Sequence, residues 1–160
     1  MVDRSLQHGR GFPIPRRHGA GASSGEQSSA IRWLLGVLLA FGALNAFGGG
    51  YYGMAGAEGV PTAWLEGSPF TDYVVPSAIL FVVVGGSSLL AAIAVLARRR
   101  SGRMLALAAG VIVLGWLTVQ LAIIGYVSWM QPTTAIAGIV VLALASRLSS
   151  APPPQRVSWP

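Results

Sequence analysis

The chain has 160 residues, 53% of them hydrophobic and only 10% charged, with a net charge of +6. About a quarter of the residues of a soluble domain are charged, so this composition, with its long apolar runs, excludes an ordinary soluble domain and points to a membrane protein. No cysteine is present, which excludes disulfides, thiol catalysis and cysteine-ligated metals.

All eleven basic residues are arginine, a compositional sign of a high-GC bacterial genome. They flank the apolar runs. That is where a membrane topology places them, and no nucleic-acid partner is expected. Residues 1–30 are rich in Gly, Ser, Pro and Arg and lack apolar periodicity. They are expected to form a disordered, basic cytoplasmic tail, in which Arg4, Arg10, Arg16 and Arg17 act as a topology signal or touch anionic headgroups. His8 and His18 in this tail have no acidic cluster beside them.

The first expected span covers residues 31–49, with Arg32 and Trp33 at its start suited to snorkelling and to the interface. A cleaved signal peptide is the competing reading, but the preceding tail is much longer than a usual n-region. Gly36 and Ala40 form a small-xxx-small pair that would let another helix approach.

Residues 50–73 are read as an extracytoplasmic loop. The wider stretch 48–76 holds Glu58, Glu66 and Asp72, three of the five acids, together with five aromatic residues and no arginine. Pro61 is expected to open a short interfacial helix that stops at Gly67, and Ser68-Pro69 reads as an N-cap followed by Pro at the first helical position. Pro76 is expected to kink or break the start of the second span, freeing the carbonyl of Asp72.

That second span is predicted over 74–97. Gly85, Gly86, Ser87 and Ser88 at its centre mark a helix–helix contact rather than a break, because small residues pack helices closely in lipid. Arg98, Arg99, Arg100 and Arg103 follow as topology anchors. The third span is predicted over 104–129, with Gly110 and Gly115 as packing positions and Tyr126 and Trp129 at its outer end. The fourth covers 133–148, and a Pro-rich cytoplasmic tail covers 149–160. The expected architecture is thus all-α: a left-handed, four-helix transmembrane bundle in a bacterial cytoplasmic membrane, with both termini inside.

No enzyme signature accompanies these spans, and no cofactor is expected. Glu66 and Asp72 lack a nucleophile, the acids and histidines lack metal-ligand spacing, and GGGYYG lacks the strand–turn–helix context of a nucleotide fingerprint. Asn45 and Gln120 are polar residues inside spans. Such residues usually face protein or a cavity, so a polar pocket is expected beneath the loop, lined by Asn45, Ser77 and Gln120 and lidded by Tyr52 and Trp64.

The stretch WLEGSPFTDYVVPSAILFVVVGG resembles a segment of uncharacterised four-helix bacterial membrane proteins, chiefly actinobacterial. The similar residues are Trp64, Leu65, Glu66, Gly67, Ser68, Pro69, Phe70, Tyr73, Pro76, Ile79, Leu80, Gly85 and Gly86, with Gly49, Tyr52 and Gly53 upstream. The resemblance covers roughly half the chain and implies a four-span fold, with no activity or ligand to transfer.

Three functions remain open on these grounds. The first is a non-enzymatic structural or accessory protein whose partners are the bilayer and a second membrane protein or copy of itself. The second is a small transporter or lipid-binding protein using the pocket, and the third is a subunit of a membrane redox complex.

Reporter fusions at residue 20, residue 58 and after residue 155 test the topology. The arginine partition predicts that only the fusion at 58 reports from outside. An external signal from either terminal fusion would overturn the assignment.

Overall fold

The computed structural model of the chain describes residues 20–148, with side chains from Glu26 onward. The expectations for residues 1–19 and 149–160 lie outside the described residues. Helix α1 covers Ala20–Met54, followed by a single 3-10 turn at Thr62–Leu65. The second span is composite: α2 (Val74–Ile79), a π-helical turn (Leu80–Gly85) and α3 (Gly86–Leu96). Helices α4 (Gly102–Ile124) and α5 (Met130–Arg147) complete the order.

The fold is all-α, a four-helix transmembrane bundle. Glu26–Met54, Val74–Leu96, Gly102–Ile124 and Met130–Arg147 are each long and apolar enough to cross a membrane. Even the shortest, at 18 residues, extends about 27 Å, close to the thickness of a bilayer core. Large apolar side chains such as Trp33, Leu34, Phe41, Leu44, Val82, Leu90, Val111 and Ile136 stand exposed around the bundle. A surface of that kind is stable against lipid tails and not against water.

Several boundaries differ from the sequence reading. Helix α1 begins at Ala20 rather than 31 and continues to Met54 rather than 49. Its first residues contain no proline, so the apolar segment, once nucleated, propagates backward through them. At the other end Gly48, Gly49 and Gly50 do not stop the helix, because in lipid only intrahelical bonds satisfy the backbone.

The expected N-cap at Ser68 is not one. The Ser68 hydroxyl accepts from the Phe70 N–H at 3.2 Å within the loop. The second span starts at Val74, where the Asp72 carboxylate accepts the Val74 N–H at 3.0 Å. Pro76 therefore falls in the first turn, where backbone N–H groups have no intrahelical partner anyway. The departure from α geometry comes further along, at the π turn.

Helix α4 ends at Ile124 and not at 129. Gly125 takes φ 67° and ψ −162°, a conformation essentially open to glycine alone. Gln131 then ties the α4–α5 turn together. Its Oε1 accepts from the N–H groups of Val127 (3.0 Å) and Ser128 (3.4 Å), and its Nε2 donates to the Gly125 carbonyl (2.9 Å).

Each span packs on the next, and α5 returns to α1 to close the ring. The buried seam of α1 runs Gly36, Leu39, Ala43, Ala46, Gly50, Gly53. Its alternating steps of three and four residues give the 3.5-residue period of left-handed packing. Ala40 lies off this seam and is exposed, so the pair Gly36–Ala40 is corrected to Gly36–Ala43.

Gly85 is buried against the Phe47 ring, but a Cβ on Gly86 would meet nothing within 4 Å. Gly115 is equally open, whereas Gly110 receives the Leu142 side chain. Gly138 reciprocates by receiving Leu114, which makes α4 and α5 interlock. Gly86 and Gly115 are therefore not packing positions.

The main core lies at one end of the bundle. It consists of Leu35, Leu39, Ala91, Ala92, Val95, Ala106, Ala109, Val141, Ala145 and Leu148. The same end carries Arg32, Arg98, Arg99, Arg100, Arg103 and Arg147, the arginines of the described residues. Here α3 closes with Arg98 at φ 54°. The N–H groups of Arg98 and Arg99 bond to the carbonyls of Val95 (3.2 Å) and Ala94 (2.9 Å), the pairing of a Schellman cap in which glycine is usual.

Gly50 makes the tightest backbone approach between α1 and the second span. A Cβ there would lie 2.9 Å from the Ser77 carbonyl oxygen and 3.0 Å from the Phe81 Cα. Gly50→Leu is expected to destabilise the protein by about 1–3 kcal/mol through overpacking, and Gly86→Leu to melt with the parent. Thermal melting in detergent checks both, and equal melting of the two variants would remove the assigned interface.

Candidate functional site

The end of the bundle opposite the arginines is less tightly closed. A cavity of about 90 Å³ lies between the second span and α4. The loop contributes Leu65 and Phe70 as its roof, and Tyr73, Pro76, Ser77 and Leu80 form one wall. Trp116, Val119 and Gln120, with Ile123 and Ile124 above them, form the wall on α4.

The helical repeat explains the α4 wall. Positions 116, 120 and 123 follow steps of four and three and share one face. Gln120 and Trp116 lie four and eight residues before the end of α4, about 6 and 12 Å along its axis. The cavity thus sits within the outermost third of the spans. The Ser77 hydroxyl itself is turned to α1, where a Cβ on Gly53 would overlap it, and the rest of the residue lines the cavity.

The roof is held by backbone carbonyls rather than by charge. The Tyr73 hydroxyl donates to the Pro61 carbonyl at 2.7 Å, anchoring the 3-10 turn over α2 so that Leu65 is buried. The Tyr52 hydroxyl donates to the Glu58 carbonyl, closing the loop beside α1. Burial pushes the Tyr73 phenol above its ordinary value of 10.0. It therefore stays a neutral donor across the physiological range.

Two of the five expected pocket residues, Ser77 and Gln120, share this cavity. The other three do not line it. Asn45 is exposed on the outer face of α1, and its Nδ2 donates to the Phe41 carbonyl at 2.8 Å. Position along a span sets depth and carries no information about which way round α1 faces. Tyr52 is spent on its loop bond. Trp64 is 40% exposed, and its neighbour Leu65 provides the roof instead.

Trp116 was missed by the sequence reading. Its position one helical turn before Gln120 was the available signal. The indole Nε1–H of Trp116 is enclosed and has no acceptor among the described residues.

The chemistry on offer is hydrogen bonding within an apolar wall. The hydroxyl, amide and indole that line the cavity do not titrate near neutrality. Glu58, Glu66 and Asp72 are exposed in the loop and outside the lining. Among the described residues no group of three His, Cys, Asp or Glu is placed to hold a metal ion. No protein-family model, curated protein or solved structure matches the chain.

The Tyr73 bond has a defined pH signature. The folded-state pKa is raised, so its stabilisation is fully present below the unfolded value and is lost as pH rises through the folded one. Tyr73→Phe is expected to cost about 0.5–1.5 kcal/mol, constant from pH 6 to 9 and shrinking above pH 10. Melting curves of both proteins against pH measure this, and a gap that changes between pH 6 and 9 would contradict it.

Proposed function

We propose that the protein is a non-enzymatic binding protein of a bacterial cytoplasmic membrane, with both termini cytoplasmic and the cavity in the outer leaflet. The cavity takes up part of an amphiphilic molecule from the bilayer. The observation that carries this reading is a largely apolar cavity whose lining includes Gln120, a side chain with no hydrogen bond among the described residues. Binding sites for small molecules combine an apolar lining with a few placed polar groups in this way. The arginine partition supports the orientation, since positive residues stay on the cytoplasmic side. The resemblance of the Trp64–Gly86 stretch to bacterial four-span proteins supports the source.

A second reading, an accessory subunit or homo-oligomer, is favoured by a different surface. Gly42 and Gly48 have nothing over them on α1, and the exposed Asn45 amide lies between them. Polar residues at this depth normally meet protein, and flanking glycines would let another helix approach. Transport by the chain alone is less well supported, because the core beyond the cavity is, among the described residues, built largely of alanine, leucine and valine.

Native mass spectrometry of protein released from native nanodiscs distinguishes these readings. The parent is expected to retain a small amphiphile. Val119→Trp, at the exposed edge of the cavity, should reduce that retention at least ten-fold while leaving detergent melting unchanged. Equal retention by the two proteins, or none by the parent, would sink the binding reading. An assembly mass above that of one chain would support the accessory or oligomeric one.

A further inference from the structure

We infer that the arginine end of the bundle holds the headgroup of an acidic glycerophospholipid in the crease between α1 and the α3–α4 turn. This site is separate from the cavity at the loop end and does not depend on it.

A close helix contact sets the crease. A Cβ on Gly36 would overlap the side chain of Leu96, the last residue of α3. Arg32 stands one turn before Gly36 on the same face of α1, and Arg98 follows Leu96 by two residues. The two arginines therefore flank one contact at the end of the spans. The turn that carries Arg98, Arg99 and Arg100 is held against the bundle. A Cβ on Gly102, where α4 begins, would lie 3.0 Å from the Ala94 carbonyl oxygen.

The charge gathered there is not met within the described chain. Arg32 is half-buried and Arg98, Arg99 and Arg100 are exposed, and none of them has a carboxylate partner among the described residues. Glu58, Glu66 and Asp72 lie at the far end. Glu26 stands six residues before Arg32, a spacing that sets the two on different faces of α1. Arg103 already has an interaction. Arg147 lies in the last turn of α5, where a cation complements the helix dipole. The remaining guanidiniums are left for an anion from outside.

Position selects a lipid as that anion. The ends of spans lie among lipid headgroups, and guanidiniums take phosphate oxygens in bidentate pairs. A choline or ethanolamine headgroup carries its own cation, so an acidic phosphodiester is the better match. Leu89, Ile93 and Leu96 are exposed on α3. Their spacing of four and three residues puts them on one face, leading away from the crease along the acyl chains.

A topology signal asks only for positive residues near a span end and is indifferent to their order within the turn. Arg98 is more specific than that. It occupies φ 54°, where an L side chain is strained and glycine is usual. Arginine at that one position costs stability that a glycine there, with the charge moved along the turn, would not.

The test uses the purified full chain in detergent, titrated with phosphatidylglycerol or phosphatidylcholine and read by native mass spectrometry. The parent is expected to bind phosphatidylglycerol about ten-fold more tightly or better. Arg32→Gln/Arg99→Gln should weaken phosphatidylglycerol binding by about ten-fold. Arg10→Gln/Arg16→Gln removes the same charge outside the described residues and should leave that binding unchanged. Arg98→Gly should melt at or above the parent, because glycine takes the left-handed conformation freely, yet bind phosphatidylglycerol about five-fold more weakly.

Equal affinity of the parent for the two lipids would overturn the inference. Equal losses in the two double variants would reduce the effect to net charge and overturn it as well. Arg98→Gly binding as tightly as the parent would remove Arg98 from the site and with it the crease. Displacement of phosphatidylglycerol by inorganic phosphate at equal concentration would make this a soluble-anion site and sink the lipid assignment.

Discussion

The loop end of this bundle depends on how closely α1 lies against the second span. Helices in lipid gain no hydrophobic free energy from meeting, so association rests on backbone approach and dispersion. Gly50 and Gly53 supply the approach by leaving room for the Ser77 carbonyl, the Ser77 hydroxyl and the Phe81 backbone. Ser77 is buried as a result, yet its far side still lines the cavity. The tilted contact of Phe47 with Phe81, ring centroids 4.7 Å apart, fills the space below it.

The two ends of the bundle solve the same packing problem with side chains of different size. At the arginine end Ala91, Ala92, Ala106, Ala109 and Ala145 allow the spans to close on one another. At the loop end Leu80 and Trp116 line the gap between the second span and α4, and side chains of that bulk keep the two from closing. The cavity follows from that difference. The π turn at Leu80–Gly85 begins at the cavity floor. Such turns recur at functional sites, where they widen a helix locally.

The two glutamines make the contrast explicit. Gln131 is buried and uses both ends of its amide, bonding Gly125, Val127 and Ser128 to fasten one turn. Gln120 sits in similarly apolar surroundings and fastens nothing within the described chain. A structural role accounts for the first. No hydrogen bond among the described residues accounts for the second.

Local chemistry was enough to read the class, the number of spans and the clustering of arginine at one end. Span length, apolar run and charge are properties of contiguous residues, and the bilayer acts on each segment separately. Depth is legible for the same reason, because distance along a helix follows from residue count. Azimuth is not. In a helix surrounded by lipid the exposed face is as apolar as the buried one, so no amphipathic stripe tells them apart. The seam of α1 is its smallest face rather than its most hydrophobic one, with Phe41 and Leu44 outside and Ala43 and Gly50 within. Only the packed bundle decided that Asn45 and Ala40 point outward, that a Cβ on Gly86 or Gly115 would meet nothing, and that Trp116 lines one cavity with Gln120 and Ser77. Those directions depend on which neighbour each backbone can approach, a property that belongs to pairs of helices and not to either sequence alone.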